Sequence, residues 1–208
     1  MHQKKFITTG KPVSASSKVL IMIHGRGATA EDIISLSQHF FVNEFSIVAP
    51  QATNYTWYPY SFLANPEQNE PWLSSALQVL KALTDDLVKQ DIPTQNIFLL
   101  GFSQGACLSL EYAARNATKY GGVIAFTGGL IGDRIYQENY KGDFSGTPVF
   151  MGTSDPDPHV PIERFRESAK ILEGMNAQVE KREYPNMGHT INQDEIDTVN
   201  NLFFKYGD

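Results

Sequence analysis

Apolar residues along the chain fall into short continuous runs separated by longer segments of helical period. Residues 18–24 (Lys-Val-Leu-Ile-Met-Ile-His), 45–50, 97–100, 121–126 and 147–152 are runs of strand length with little polar interruption. Such runs suit strands buried on both faces. Between them, residues 31–41 carry Ile33, Ile34, Leu36 and Phe40 at helical spacing, and residues 73–89 carry Leu73, Ala76, Leu77, Leu80, Leu83, Leu87 and Val88. Further helices are predicted from Ser103 to about residue 117, over 161–172, and over 191–206. The last of these runs to Tyr206, with Ile196, Val199, Leu202 and Phe203 inward. Residues 4–8 read as an edge strand and 177–184 as an alternating strand. Strands and helices alternate throughout, which selects an α/β architecture: a mostly parallel open sheet with helices on both faces.

Two stretches have no period. Residues 51–72 are dense in aromatics (Tyr55, Trp57, Tyr58, Tyr60, Phe62, Trp72), and residues 128–146 hold Leu130, Ile131, Tyr136 and Tyr140. Long loops in a compact domain are more often functional than idle. Neither is long enough for a large lid.

Composition narrows the classes. The 208 residues, 41% of them hydrophobic, fit a single domain over 1–208. A net charge of −6 argues against nucleic acid and against an anionic membrane surface. No apolar block of signal-peptide or membrane-span length occurs, so a soluble, cytoplasmic protein without membrane insertion is expected. The single cysteine, Cys107, sits among apolar residues and reads as packing.

The chemistry gathers at the strand ends, where ligands bind in such sheets. The run 97–100 drives into Gly101-Phe102-Ser103-Gln104-Gly105 and then directly into a helix. Glycines two positions either side allow a sharp corner that lifts the Ser103 hydroxyl clear beside a helix N-terminus. A serine hydroxyl needs a base, and His189, after Gly188 and before the last helix, is the candidate. His2 reads as terminal, His39 as helical, His24 as a brace for its loop and His159 as ordering the acidic loop. Asp155 and Asp157 compete to hold the imidazole in the correct tautomer. Counting back from Val160-Pro161 favours Asp157, with Asp155 the alternate, and the loser is expected to cap the loop through backbone N–H groups. The oxyanion donors expected are the backbone N–H groups of Gln104 and Arg26, the Arg26 side chain being incidental to that role. Trp57, Tyr58, Phe62, Leu130 and Ile131 are expected to line the substrate pocket, the alternative being that they cover the sheet.

Two rival readings remain. Gly25-Arg26-Gly27-Ala28-Thr29-Ala30 fits a dinucleotide-binding Gly-x-Gly-x-x-Ala turn, as in an oxidoreductase, but the second strand ends Val48-Ala49-Pro50-Gln51 without the acid that would hold a ribose. A non-catalytic binding protein on the same fold is the other.

Taken together, His24-Gly25-Arg26-Gly27, Trp57-Tyr58-Pro59, Gly101-Phe102-Ser103-Gln104-Gly105, Asp157-Pro158-His159-Val160-Pro161 and Met187-Gly188-His189 resemble the carboxylesterase and phospholipase-type esterases of the α/β-hydrolase fold, related to acyl-protein thioesterases. The resemblance spans nearly the whole chain. It implies hydrolysis of carboxylic esters or thioesters through an acyl-serine intermediate, with no metal and no cofactor. A small-molecule ester substrate is the partner expected, and the sequence is compatible with a homodimer. The chain departs from the thioesterase pattern in its longer acidic loop and in His-Gly-Arg-Gly-Ala where thioesterases have His-Gly-Leu-Gly-Asp.

Overall fold

Seven strands form one sheet in the order β1-β3-β2-β4-β5-β6-β7. They are β1 (Phe6–Gly10), β2 (Lys18–Ile23), β3 (Phe45–Pro50), β4 (Ile97–Phe102), β5 (Gly122–Phe126), β6 (Pro148–Asp155) and β7 (Gln178–Pro185). This computed structural model describes residues 1–14 and 17–204. Among the described residues only the β1–β3 pair is antiparallel, and every other neighbouring pair is parallel. The mostly parallel, helix-covered sheet expected from the apolar runs is therefore present.

Period two along the central strands divides the core. Val19, Ile21, Ile23, Leu99, Val123, Ala125, Val149 and Met151 face one side, against α2 (Trp72–Val88), α3 (Gln104–Arg115) and α4 (Ile162–Gly174). Leu20, Met22, Phe98, Leu100, Ile124, Phe126 and Phe150 face the other, against α1 (Ala30–Ser35) and α5 (Gln193–Phe203). Edge strand β7 is charged and half exposed, with Glu180, Lys181, Arg182 and Glu183 in sequence, a composition that discourages strand addition. No helix among the described residues is long and apolar enough to cross a membrane.

Several local expectations are corrected. The helix predicted over 31–41 is α1 followed by a 3-10 turn, Leu36–His39. The Ser35 hydroxyl donates back to the Asp32 carbonyl at 2.7 Å, which competes with continued α-helix. The tighter turn delivers Phe40 into the core, stacked on Phe126. The last helix starts later than residue 191 because Asn192 and Glu195 form a capping box. Its inward face is also shifted: Leu202 is exposed, while Phe204, just past the helix, is buried against Phe45 and Phe98. The expected helix end at Tyr206 lies outside the described residues. Val88, counted with the apolar face of α2, is exposed at its C-terminal turn.

Candidate active site

At the corner between β4 and α3, Ser103 has φ 55° and ψ −118°, a conformation that costs energy for a residue with a Cβ. Two close approaches hold it there. A Cβ on Gly101 would strike the Gly105 carbonyl, and a Cβ on Gly105 would strike the Ile23 carbonyl at the end of β2. The two glycines let α3 start directly on top of the sheet. The Ser103 N–H donates to the Phe126 carbonyl at 2.9 Å, which ties the corner to β5.

His189 reaches this corner from the loop after β7. Its Nε2 lies 2.8 Å from Ser103 Oγ and its Nδ1 2.9 Å from Asp157 Oδ2. A carboxylate can only accept, so Nδ1 carries the proton and Nε2 is free to accept from the serine hydroxyl. The ring sits beside Phe102 and meets His159 edge-on, with centroids 5.2 and 4.8 Å away. Ser154 links the two contributing loops, its hydroxyl accepting the Gly188 N–H at 2.9 Å and donating to the Pro156 carbonyl at 3.0 Å.

The Asp157 side chain is fully covered, whereas Asp155 is exposed at the end of β6. Burial raises the Asp157 carboxyl pKa, but the N–H groups of His159 and Val160 and the His189 ring outweigh it and hold the group below the ordinary value. Those two N–H groups both meet Oδ1, at 2.8 and 2.9 Å. Capping the loop and contacting the histidine, expected of two different aspartates, thus fall on one residue, and Asp155 has neither part.

The backbone N–H groups of Gln104 and Arg26 meet no protein acceptor among the described residues. Their side chains do more than the motif suggests. Gln104 Oε1 accepts the Trp57 N–H at 2.9 Å and the Thr56 hydroxyl at 3.2 Å, while its Nε2 donates to the Tyr58 carbonyl at 2.9 Å. Arg26, expected to have an incidental side chain, donates to Thr56 Oγ1, the Pro59 carbonyl and the Tyr60 carbonyl at 3.1, 2.9 and 2.6 Å. Together they pin the aromatic loop over the corner. Sequence reasoning missed both roles, although a glutamine in the first turn of an apolar helix is a signal for a buried polar contact.

A cleft of about 790 Å³ runs past Ser103 and His189. Tyr58 and Phe62 line it. Trp57, Leu130 and Ile131 do not: all three are buried in the core on the α2–α3 side. The correction has a common cause. The Trp57 indole N–H donates to the His24 carbonyl at 2.9 Å, and the Ile131 N–H donates to buried Glu111 at 3.0 Å, so these loop segments are folded inward. Their places at the cleft go to Tyr60, Leu63, Pro158 and Val160.

Among the other histidines, His24 is a brace: its Nε2 accepts the Ala52 N–H at 3.1 Å and its Nδ1 donates to the Gly25 carbonyl at 2.7 Å. His2 is more engaged than its terminal place suggests, accepting the Thr53 N–H through Nδ1 at 3.1 Å and donating through Nε2 to the Trp57 carbonyl at 2.8 Å. Burial lowers the pKa of both rings. Cys107 is buried beneath the cleft, its thiol pushed up to about 12 by desolvation. In the Gly25–Ala30 turn, the N–H groups of Gly27 and Ala30 are already held by the Tyr55 carbonyl and Gln51 Oε1, leaving fewer donors for a pyrophosphate.

The fold is that of the α/β hydrolases. More narrowly, residues 4–205 match the phospholipase/carboxylesterase family model, and the chain belongs to that family. A crystal structure of a phospholipase/carboxylesterase from Dyadobacter fermentans is 55% identical, with a TM-score of 0.96 and 98% of each chain covered. A carboxylesterase from Bacillus cereus shares the fold, with a TM-score of 0.76 at 20% identity over 96% of this chain and 92% of that one. Acyl-protein thioesterase 1 of Gibberella zeae is 33% identical over 120 residues, which are 55% of this chain and 51% of that protein. The chain thus spans about half the length of that curated relative.

Proposed function

We propose that this protein is a serine hydrolase that cleaves carboxylic esters, or thioesters, of small to medium acyl chains through an acyl-serine intermediate. The observation that carries this reading is the continuous relay from Asp157 through His189 to Ser103, with links of 2.9 and 2.8 Å.

His189 Nε2 takes the Ser103 proton as Oγ attacks the carbonyl carbon, and Asp157 stabilises the imidazolium that forms. The uncommitted N–H groups of Gln104 and Arg26 receive the developing oxyanion. Collapse of the tetrahedral intermediate expels the alcohol or thiol, which takes the proton from His189. Water then attacks the acyl-serine by the same route in reverse, releasing the acid. The family and its hydrolase-named relatives support the reaction class, and the open cleft supports acyl groups of modest length.

A panel of esters and thioesters of increasing acyl length tests this, run on the wild type and on Ser103→Ala. The expected outcome is turnover that peaks at short or medium chains and falls by about 10³-fold or more in the variant. A rate that climbs steadily beyond medium chains contradicts the size assignment, and turnover retained in Ser103→Ala contradicts the mechanism.

A further inference from the structure

Among the described residues that line the cleft, Arg26 is the one side chain with a formal charge, and none is an aspartate or glutamate. The chain has six arginines and an excess of acids, 23 to 17. The other five arginines, at 115, 134, 164, 166 and 182, each have a carboxylate within 3.5 Å. Arg26 is exposed and has none among the described residues. Its hydrogen-bond partners are a hydroxyl and two carbonyls, which take both Nη1 protons and one on Nη2, and its guanidinium carbon lies 6.0 Å from the centre of the Tyr58 ring. Nε–H and the second Nη2–H are left uncommitted.

An unpaired guanidinium fixed by neutral acceptors keeps its full charge for a ligand. Its position is set by three hydrogen bonds, so little side-chain entropy remains to be lost when an anion binds. Two free N–H donors match the two oxygens of a carboxylate. In a molecule of net charge −6, the cleft surface carries one guanidinium and no acid, the Asp157 carboxylate being held on the far side of the His189 ring, so an anion in the cleft meets Arg26 first.

We infer that Arg26 is a specificity-determining residue and that the substrate is an ester carrying a carboxylate near the scissile bond, such as a half-ester of a short dicarboxylic acid. The inference rests on the hydrolase reading above and adds the substrate class.

The test compares kcat/KM in two matched pairs by pH-stat titration: monoethyl glutarate against ethyl pentanoate, and O-acetylglycolate against ethyl acetate. In the wild type, at least one anionic ester is cleaved about tenfold or more faster than its neutral partner at low salt, and the ratio shrinks in 0.5 M NaCl. Arg26→Met lowers that ratio by about tenfold whatever happens to the absolute rates, and Arg26→Lys restores part of it. Should Arg26→Met fail to fold, the salt dependence and competitive inhibition of wild-type ethyl pentanoate cleavage by free glutarate decide the matter. Equal rates within both pairs, without inhibition by glutarate, overturn this inference and leave the hydrolase reading intact. Cleavage of none of the four esters contradicts both.

Discussion

The side-chain oxygen of Gln104 accepts the backbone N–H of Trp57 at 2.9 Å, so the residue that follows Ser103 also anchors the loop that roofs the cleft. Its amide nitrogen holds the Tyr58 carbonyl in the same way. Gln104→Ala strands both groups in a buried site and is expected to cost about 1–3 kcal/mol in urea denaturation. Ester turnover is expected to fall with it, because the loop is no longer held over the corner.

Gly105 and Gly27 are predicted to respond differently to alanine. At Gly105 the new methyl runs into the Ile23 backbone at the end of β2, which has no room to give, and a loss of about 3 kcal/mol or more with collapse of activity is expected. Gly27 has φ +80° but open space around a Cβ. Gly27→Ala is expected to cost only about 1 kcal/mol, for the left-handed conformation itself. Thermal melts of the two variants side by side check the contrast.

The central strands were legible because they are buried on both faces, so residues 18–24, 97–100 and 121–126 read as unbroken apolar runs. The order serine, aspartate, histidine was legible because β4, β6 and β7, which these residues follow, run parallel and end at the same edge of the sheet. What misled was helical periodicity carried past the end of its helix: the position expected for Leu202 belongs to Phe204. Apolar loop residues were also ambiguous, since Leu130 and Ile131 suit a pocket or a core equally well in composition, and the buried Glu111 that draws Ile131 inward lies 20 residues away. The clamps made by Arg26 and Gln104 span 34 and up to 48 residues of sequence, a separation at which no local pattern carries information.

Asp157 and Asp155 are separated by a pair of single variants. Asp157→Asn leaves an amide oxygen to the His159 and Val160 N–H groups and turns an NH2 donor towards His189 Nδ1, which favours the wrong tautomer and is expected to lower kcat/KM by about 10³–10⁴-fold. Asp155→Asn, on an exposed carboxylate, is expected to stay within a few-fold of wild type. The Asp157 carboxyl is held below its ordinary pKa in the folded protein, so its contribution to stability is present above the unfolded value of 3.8 and is lost as pH falls through the folded one.

Glu195 carries the opposite sign. Its side chain is buried, with Oε2 accepting the Asn192 N–H at 2.9 Å and Oε1 without a partner. Burial pushes its pKa up to about 7 from 4.5, so the folded state binds this proton more tightly than the unfolded state does. Stability from this group is greatest below about pH 4.5 and declines as pH rises towards 7. Glu195→Gln keeps the capping acceptor and cannot ionise. Relative to wild type it is expected to gain up to ~3 kcal/mol between pH 5 and pH 8, as read by urea midpoints at each pH. An unchanged difference across that range contradicts the assignment.

The most direct test of the central claim is intact-protein and peptide mass spectrometry after treatment with a fluorophosphonate, which reacts with a serine activated as an acyl acceptor. The account predicts one phosphonyl group per chain, located on Ser103 and absent in Ser103→Ala and His189→Ala. An unlabelled wild-type protein, or a label that persists in Ser103→Ala, contradicts it.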